Sequence, residues 1–105
     1  MKIYKTKVFA KWQSKERLSD IALYNAAEEV VKGVVDADLG SRIFKKRIAK
    51  SGAGKSSGYR TILATKIDGV IFFIFGFSKN VKANISMTER QIFTEIGSKL
   101  LSFSP

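Results

Sequence analysis

The chain contains no cysteine and no histidine. Without cysteine there is no disulfide framework, no thiolate nucleophile and no cysteine-based zinc site, and a reducing compartment suits the protein. Without histidine, the commonest metal ligand and the commonest general base at neutral pH are both missing. Any catalysis must then run on lysine, arginine, tyrosine or a carboxylate, and neither a metal nor another cofactor is expected. The sole proline is Pro105, too near the end to shape the fold. No apolar run approaches the ~20 residues that span a bilayer, the longest being residues 70–77. The first ten residues mix Lys2, Lys5 and Lys7 with Ile3, Val8 and Phe9, which is not the apolar core of a signal peptide. A cytoplasmic protein with no membrane partner is expected. With 105 residues there is room for one core, and the expected organisation is a single domain over residues 1–105.

Negative charge is also missing, and in one place above all. The chain carries 19 Lys and Arg against 9 Asp and Glu, a net charge of +10. Its first 38 residues are nearly balanced, with seven positive and six negative side chains. Between Asp38 and Asp68 there is no acidic residue, while Arg42, Lys45, Lys46, Arg47, Lys50, Lys55, Arg60 and Lys66 supply eight positive charges. Protein surfaces normally intersperse the two signs, because a patch of one sign repels itself unless a partner neutralises it. Such a patch is the electrostatic footprint of a phosphate-binding surface, and the expected partner is a polyanion, RNA before others.

Hydrophobic spacing outlines the elements. Residues 2–5 read as a first strand, followed by a helix from Val8 through Trp12 to about Arg17. Ser19 caps a second helix whose apolar stripe is Leu23, Ala27, Val30, Val31 and Val34, ending at Gly33. After a linker over residues 36–40 the period changes to two, with strands expected at 43–49, 59–67 and 70–77. Asp68-Gly69 joins the last two as a hairpin, and the strand at 70–77 should be central because it is apolar on both faces. Ser86 followed by Glu89 has the form of a capping box and opens a terminal helix with the stripe Ile92, Phe93, Ile96 and Leu100. The expected fold class is α+β, with the order β-α-α-β-β-β-α.

Alternation on the strand at 43–49 turns Lys45 and Arg47 to one face and Phe44 and Ile48 to the other. The glycine-rich segment 51–58 contains GAGKS but is no phosphate-cradling nucleotide loop: Ala49 stands where the first glycine of that motif belongs, and a strand rather than a helix is expected afterwards. Tyr59, between this loop and Arg60, can either stack on a base or pack into the core.

The run IFKKRIAKSGAGKSSGYRTI at residues 43–62, followed by FFIFGFSKNVKANIS, resembles the RelE/HigB-type toxins of bacterial toxin-antitoxin pairs, in the RelE/ParE superfamily. The D-A-D-L-G segment at residues 36–40 belongs to the same likeness, which covers nearly the whole chain. The resemblance implies a compact antiparallel sheet, mixed at its edge, with helices on one side. It also implies an endoribonuclease that cleaves messenger RNA, in many members on the ribosome, and a cognate antitoxin, expected to be of helix-turn-helix type. By that likeness Lys45, Arg47, Arg60 and Lys79 are the candidate catalytic residues and Lys82 a candidate RNA contact, to which the acid-free run adds Arg42, Lys46, Lys50, Lys55 and Tyr59. Arginine forks suit a phosphate. A lysine crowded by other cations gives up its proton more readily than an isolated one, which suits Lys45 and Lys79 to the role of base. Relatives can carry a tyrosine near the start of the terminal helix, where Ser86, Met87 and Thr88 offer none. Two alternatives follow from that gap and from the shared fold: a non-catalytic RNA-binding module or degenerate toxin, and a ParE-like inhibitor of DNA gyrase.

Overall fold

The structure, a computed structural model, describes residues 1–50, 58–78 and 84–102. Strand β1 (Lys2–Lys5) leads into helices α1 (Lys7–Glu16) and α2 (Asp20–Val31). Four strands follow, β2 (Ala37–Gly40), β3 (Ile43–Ile48), β4 (Tyr59–Thr65) and β5 (Val70–Ser78), and then helix α3 (Met87–Ser102). The sheet order is β1-β5-β4-β3-β2, with β1 parallel to β5 and every other pair antiparallel. This is the expected α+β sheet with its mixed edge, plus one strand more than anticipated. Residues 36–40 are no plain linker, since Ala37–Gly40 pairs along β3 as a short, bulged edge. Four residues that include Asp38 and Gly40 carry too little apolar alternation to announce a strand.

Caps delimit the helices, those at Ser19 and Ser86 where the sequence placed them and a further one at Thr6. The Thr6 and Ser19 hydroxyls accept from the amides of Phe9 and Ala22, and Ser86 and Glu89 bond reciprocally ahead of α3. Helix α2 stops in a Schellman turn, with the Gly33 amide donating to Val30 and the Val34 amide to Glu29. This corrects the expected stripe. The buried face is Leu23, Ala26, Ala27 and Val30, while Val31 turns to solvent and Val34 lies past the helix end, 58% and 51% exposed. On α3 the buried positions are Phe93 and Gly97, while Ile92 is about half and Ile96 about a third exposed.

The sheet separates two apolar layers. Phe9, Leu23, Ala27 and Val30 pack with Ile48, Tyr59, Leu63, Ile71 and Phe73 beneath α1 and α2. Phe93 packs with Ile43, Ile62, Ala64, Val70, Phe72 and Ile74 on the opposite face. Helices therefore cover both sides, not one. The reason lies in the alternation of β4 and β5, which gives each face its own apolar set. A bulge in β5 sets where each set lands: Ile62 pairs with Phe75 and Leu63 with Phe73, leaving Ile74 without a β4 partner. The spare Ile74 carbonyl accepts from the Thr6 hydroxyl at 2.7 Å. Past the bulge, Phe75 stacks on Phe93 beneath α3, and Gly76 turns toward α1.

The hairpin at Asp68-Gly69 forms as expected, but only Gly69 takes a positive φ, 87°. Its amide closes a turn onto the Lys66 carbonyl, and the Lys66 amide bonds Val70. Among the described residues no helix is long and apolar enough to cross a membrane.

Gly76 lies directly under the Trp12 ring, where a Cβ would stand 2.2 Å from a ring carbon. Gly76→Ala should therefore cost about 1–3 kcal/mol in chemical denaturation, the range for overpacking a core. Trp12→Leu in the same chain should recover part of that loss.

Candidate active site

On the α3 face of the sheet the apolar layer ends at one cross-strand step. Lys45 pairs with Ile62, and Ile62 with Phe75. One step further toward the same end stand Arg47, Arg60 and Phe77, with Arg47 directly opposite Arg60 and Arg60 opposite Phe77. Directly opposed residues of antiparallel strands have their Cβ atoms about 4.5–5.5 Å apart. Three of the sequence-predicted catalytic residues thus meet on one face. The fourth, Lys79, lies outside the described residues, as do the predicted RNA contacts Lys55 and Lys82.

Each side chain is held differently. Lys45 is half-buried and its Nζ donates to Asn84 Oδ1 at 3.4 Å, which links β3 to the residues leading into α3. Arg60 is buried, 7% exposed. Arg47 has its Nε 2.9 Å from Asp36 Oδ1, while its main-chain amide donates to Asp36 Oδ2 at 2.6 Å. Partial burial pushes the Asp36 carboxyl up, but the main-chain and side-chain bonds from Arg47, with the charges of Arg47 and Lys46, outweigh it and hold the pKa below the ordinary carboxylate value. Asp36, Asn84 and Phe77 were not anticipated as parts of this site. Asp36 had two signals, as an acid just ahead of the acid-free run and as the first residue of the D-A-D-L-G segment.

The remaining predicted contacts are elsewhere. Lys46 faces α2, only 2% exposed, with Nζ 3.0 Å from Glu29 and 3.1 Å from the Val34 carbonyl. Alternation along β3 requires this once Lys45 and Arg47 face the other way. Tyr59 likewise packs instead of waiting for a base: its ring meets Trp12 edge-on at 5.4 Å, and its hydroxyl donates to the Glu16 carbonyl at 3.3 Å. Arg42 sits at the far end of β3, five residues and about 16 Å from Arg47 along the strand. There its guanidinium donates to the Thr65 carbonyl and hydroxyl. Ser41 and Arg42 both have positive φ, 53° and 63°, in the two-residue loop that joins β2 to β3. Lys50 is exposed just beyond β3 and, with Glu16, Arg17 and Tyr59, lines a cavity of about 380 Å³ on the α1 side.

A mixed five-stranded sheet between helices, with Lys45, Arg47 and Arg60 together at one end of one face, defines a small α+β protein. The family model described as the RelE toxin of the RelE/RelB toxin-antitoxin system matches residues 1–105, and the chain belongs to that family. No curated protein matches it.

Two measurements check these placements. Lys46→Met should leave RNA affinity and the salt dependence of binding unchanged, whereas Lys45→Met should reduce the salt slope by about one. The lowered Asp36 pKa contributes stability that is present above the unfolded carboxylate value of about 3.9 and lost as pH falls through the folded value. Urea midpoints measured from pH 6 down to pH 2.5 should therefore fall less steeply for Asp36→Asn than for the parent.

Proposed function

We propose that this RelE-family chain is an endoribonuclease that cleaves messenger RNA, on the ribosome, and so arrests translation. The observation that carries the reading is the register of Lys45, Arg47 and Arg60 on one face at one end of the sheet. Two permanently charged forks on adjacent strands suit the non-bridging oxygens of one phosphodiester, and the lysine one step away suits the neighbouring 2′-hydroxyl.

In this reaction Lys45 accepts the 2′-hydroxyl proton, and the 2′-oxygen attacks the adjacent phosphorus. Arg47 and Arg60 stabilise the charge that gathers on the phosphorane oxygens. The P–O5′ bond then breaks, leaving a 2′,3′-cyclic phosphate on one fragment and a 5′-hydroxyl on the other. The 5′-oxygen takes its proton from water or from Lys79. The ribosome's part is positioning: a message held in line for attack lowers the demand on a site without histidine. Lys55 and Lys82 are further RNA contacts in this reading, whereas Lys50, on the α1 side, is not part of the same face. The cognate antitoxin is a helix-turn-helix protein whose acidic or helical segment covers Lys45, Arg47 and Arg60.

Arg60→Ala should lower message cleavage in a translating extract by about 10²–10³, the usual effect of losing one preorganised donor. It should also relieve growth arrest on induction. Parental cleavage by Arg60→Ala overturns the site. Binding without new 5′ ends on ribosome-bound message makes the chain a non-catalytic binder, and arrest of replication before translation makes it a gyrase inhibitor.

A further inference from the structure

Between the end of α2 and the start of β2 the chain makes a short passage along the edge of β3, and it holds that strand at successive residues. The Val34 carbonyl accepts from Lys46 Nζ, and the Asp36 amide donates to the Lys45 carbonyl at 2.9 Å. The β2–β3 pairing starts only at Ala37, opposite Lys45. One step beyond it, the acceptor for the Arg47 amide is the Asp36 carboxylate instead of a main-chain carbonyl. The other carboxylate oxygen takes Arg47 Nε. A single residue thus holds Arg47 both at its backbone and at its guanidinium.

This grip has a direction. Arg47 stands opposite Arg60 across the β3–β4 ladder, and like charges directly opposed repel. Asp36 lies on the other side of β3, ahead of β2, so its charge draws the Arg47 guanidinium toward the sheet edge and away from β4. It engages the Nε donor, the one nearest the chain, out of the five that a guanidinium carries.

We propose that Asp36 is a positioning residue for the candidate site, holding the Arg47 guanidinium apart from Arg60 at the spacing that receives one RNA phosphate. The inference rests on the ribonuclease reading above. Its distinguishing feature is a split of effects. Removing a carboxylate from a basic face strengthens attraction for RNA, yet releasing Arg47 removes the ordering needed in the transition state. Asp36→Ala should therefore bind a single-stranded RNA oligonucleotide as tightly as the parent, or more tightly. Its kcat on ribosomes carrying a defined message should fall about 10- to 100-fold. Asp36→Asn, which keeps one acceptor oxygen, should lie between them, and in an Arg47→Ala background Asp36→Ala should have no further effect on kcat.

A readout independent of activity is the Arg47 Nε–Hε NMR signal of the free protein. It should be ordered and slow to exchange in the parent, and mobile in Asp36→Ala. A mobile Nε in the parent overturns the proposal. Parental kcat in a folded Asp36→Ala, or an equal loss of kcat in the Arg47→Ala background, does the same. If the parent itself leaves message intact, the ribonuclease reading fails and the catalytic role of Asp36 fails with it. If the parent cleaves and Asp36→Ala matches it, only the positioning role is lost.

Discussion

Two arginines face each other across the β3–β4 ladder, and the local arrangement of the basic face follows from accommodating them. Arg47 and Arg60 are register partners, an arrangement that antiparallel sheets disfavour on their own account. The neighbouring elements bear on that cost. Asp36 supplies a counter-charge from the sheet edge, and on β4 the apolar layer beneath α3 stops at Ile62, one step short of Arg60, while Phe77 continues it on β5. A phosphate between the guanidinium groups would turn the repulsion into attraction, as the proposed function requires.

The opposite face of the same strand shows the contrast. Lys46 lies between Lys45 and Arg47 in sequence, yet it is nearly sealed beneath α2 and bonded to Glu29 and the Val34 carbonyl. The pair joins a sealed lysine to a half-exposed glutamate and serves more to hold its partners in place than to add net stability. Here the partners are the end of α2 and the passage that carries Asp36. Three consecutive cations of β3 thus divide into two that face the candidate site and one that fastens the element delivering its counter-charge.

Aromatic packing fixes the site from behind. Phe9 stacks on Phe73, Trp12 lies over Gly76, and Tyr59 meets Trp12 edge-on, which locks the ends of β4 and β5 against α1. Since Tyr59 and Arg60 are adjacent on β4, anchoring the tyrosine ring in one layer points the arginine into the other. The β5 bulge at Ile74 has a similar consequence, because it brings Phe77 to the face of Arg60 and leaves Gly76 as the floor for Trp12.

The sequence by itself determined most element types, the caps at Ser19 and Ser86, the hairpin at Gly69, and the shared face of Lys45 and Arg47. These depend on local periodicity and capping chemistry, which act over a few residues. It could not separate Tyr59 as a core residue from Tyr59 as a stacking platform, nor recognise Lys46 as a buried tie, because both depend on which helix covers which face. The edge strand Ala37–Gly40, the bulge at Ile74 and the facing of Arg47 with Arg60 belong to register, which is set by pairing between segments distant along the chain. Only the tertiary structure decided those. It turned an acid-free run of cations into a pair of opposed arginines with a lysine beside them and one aspartate at their edge.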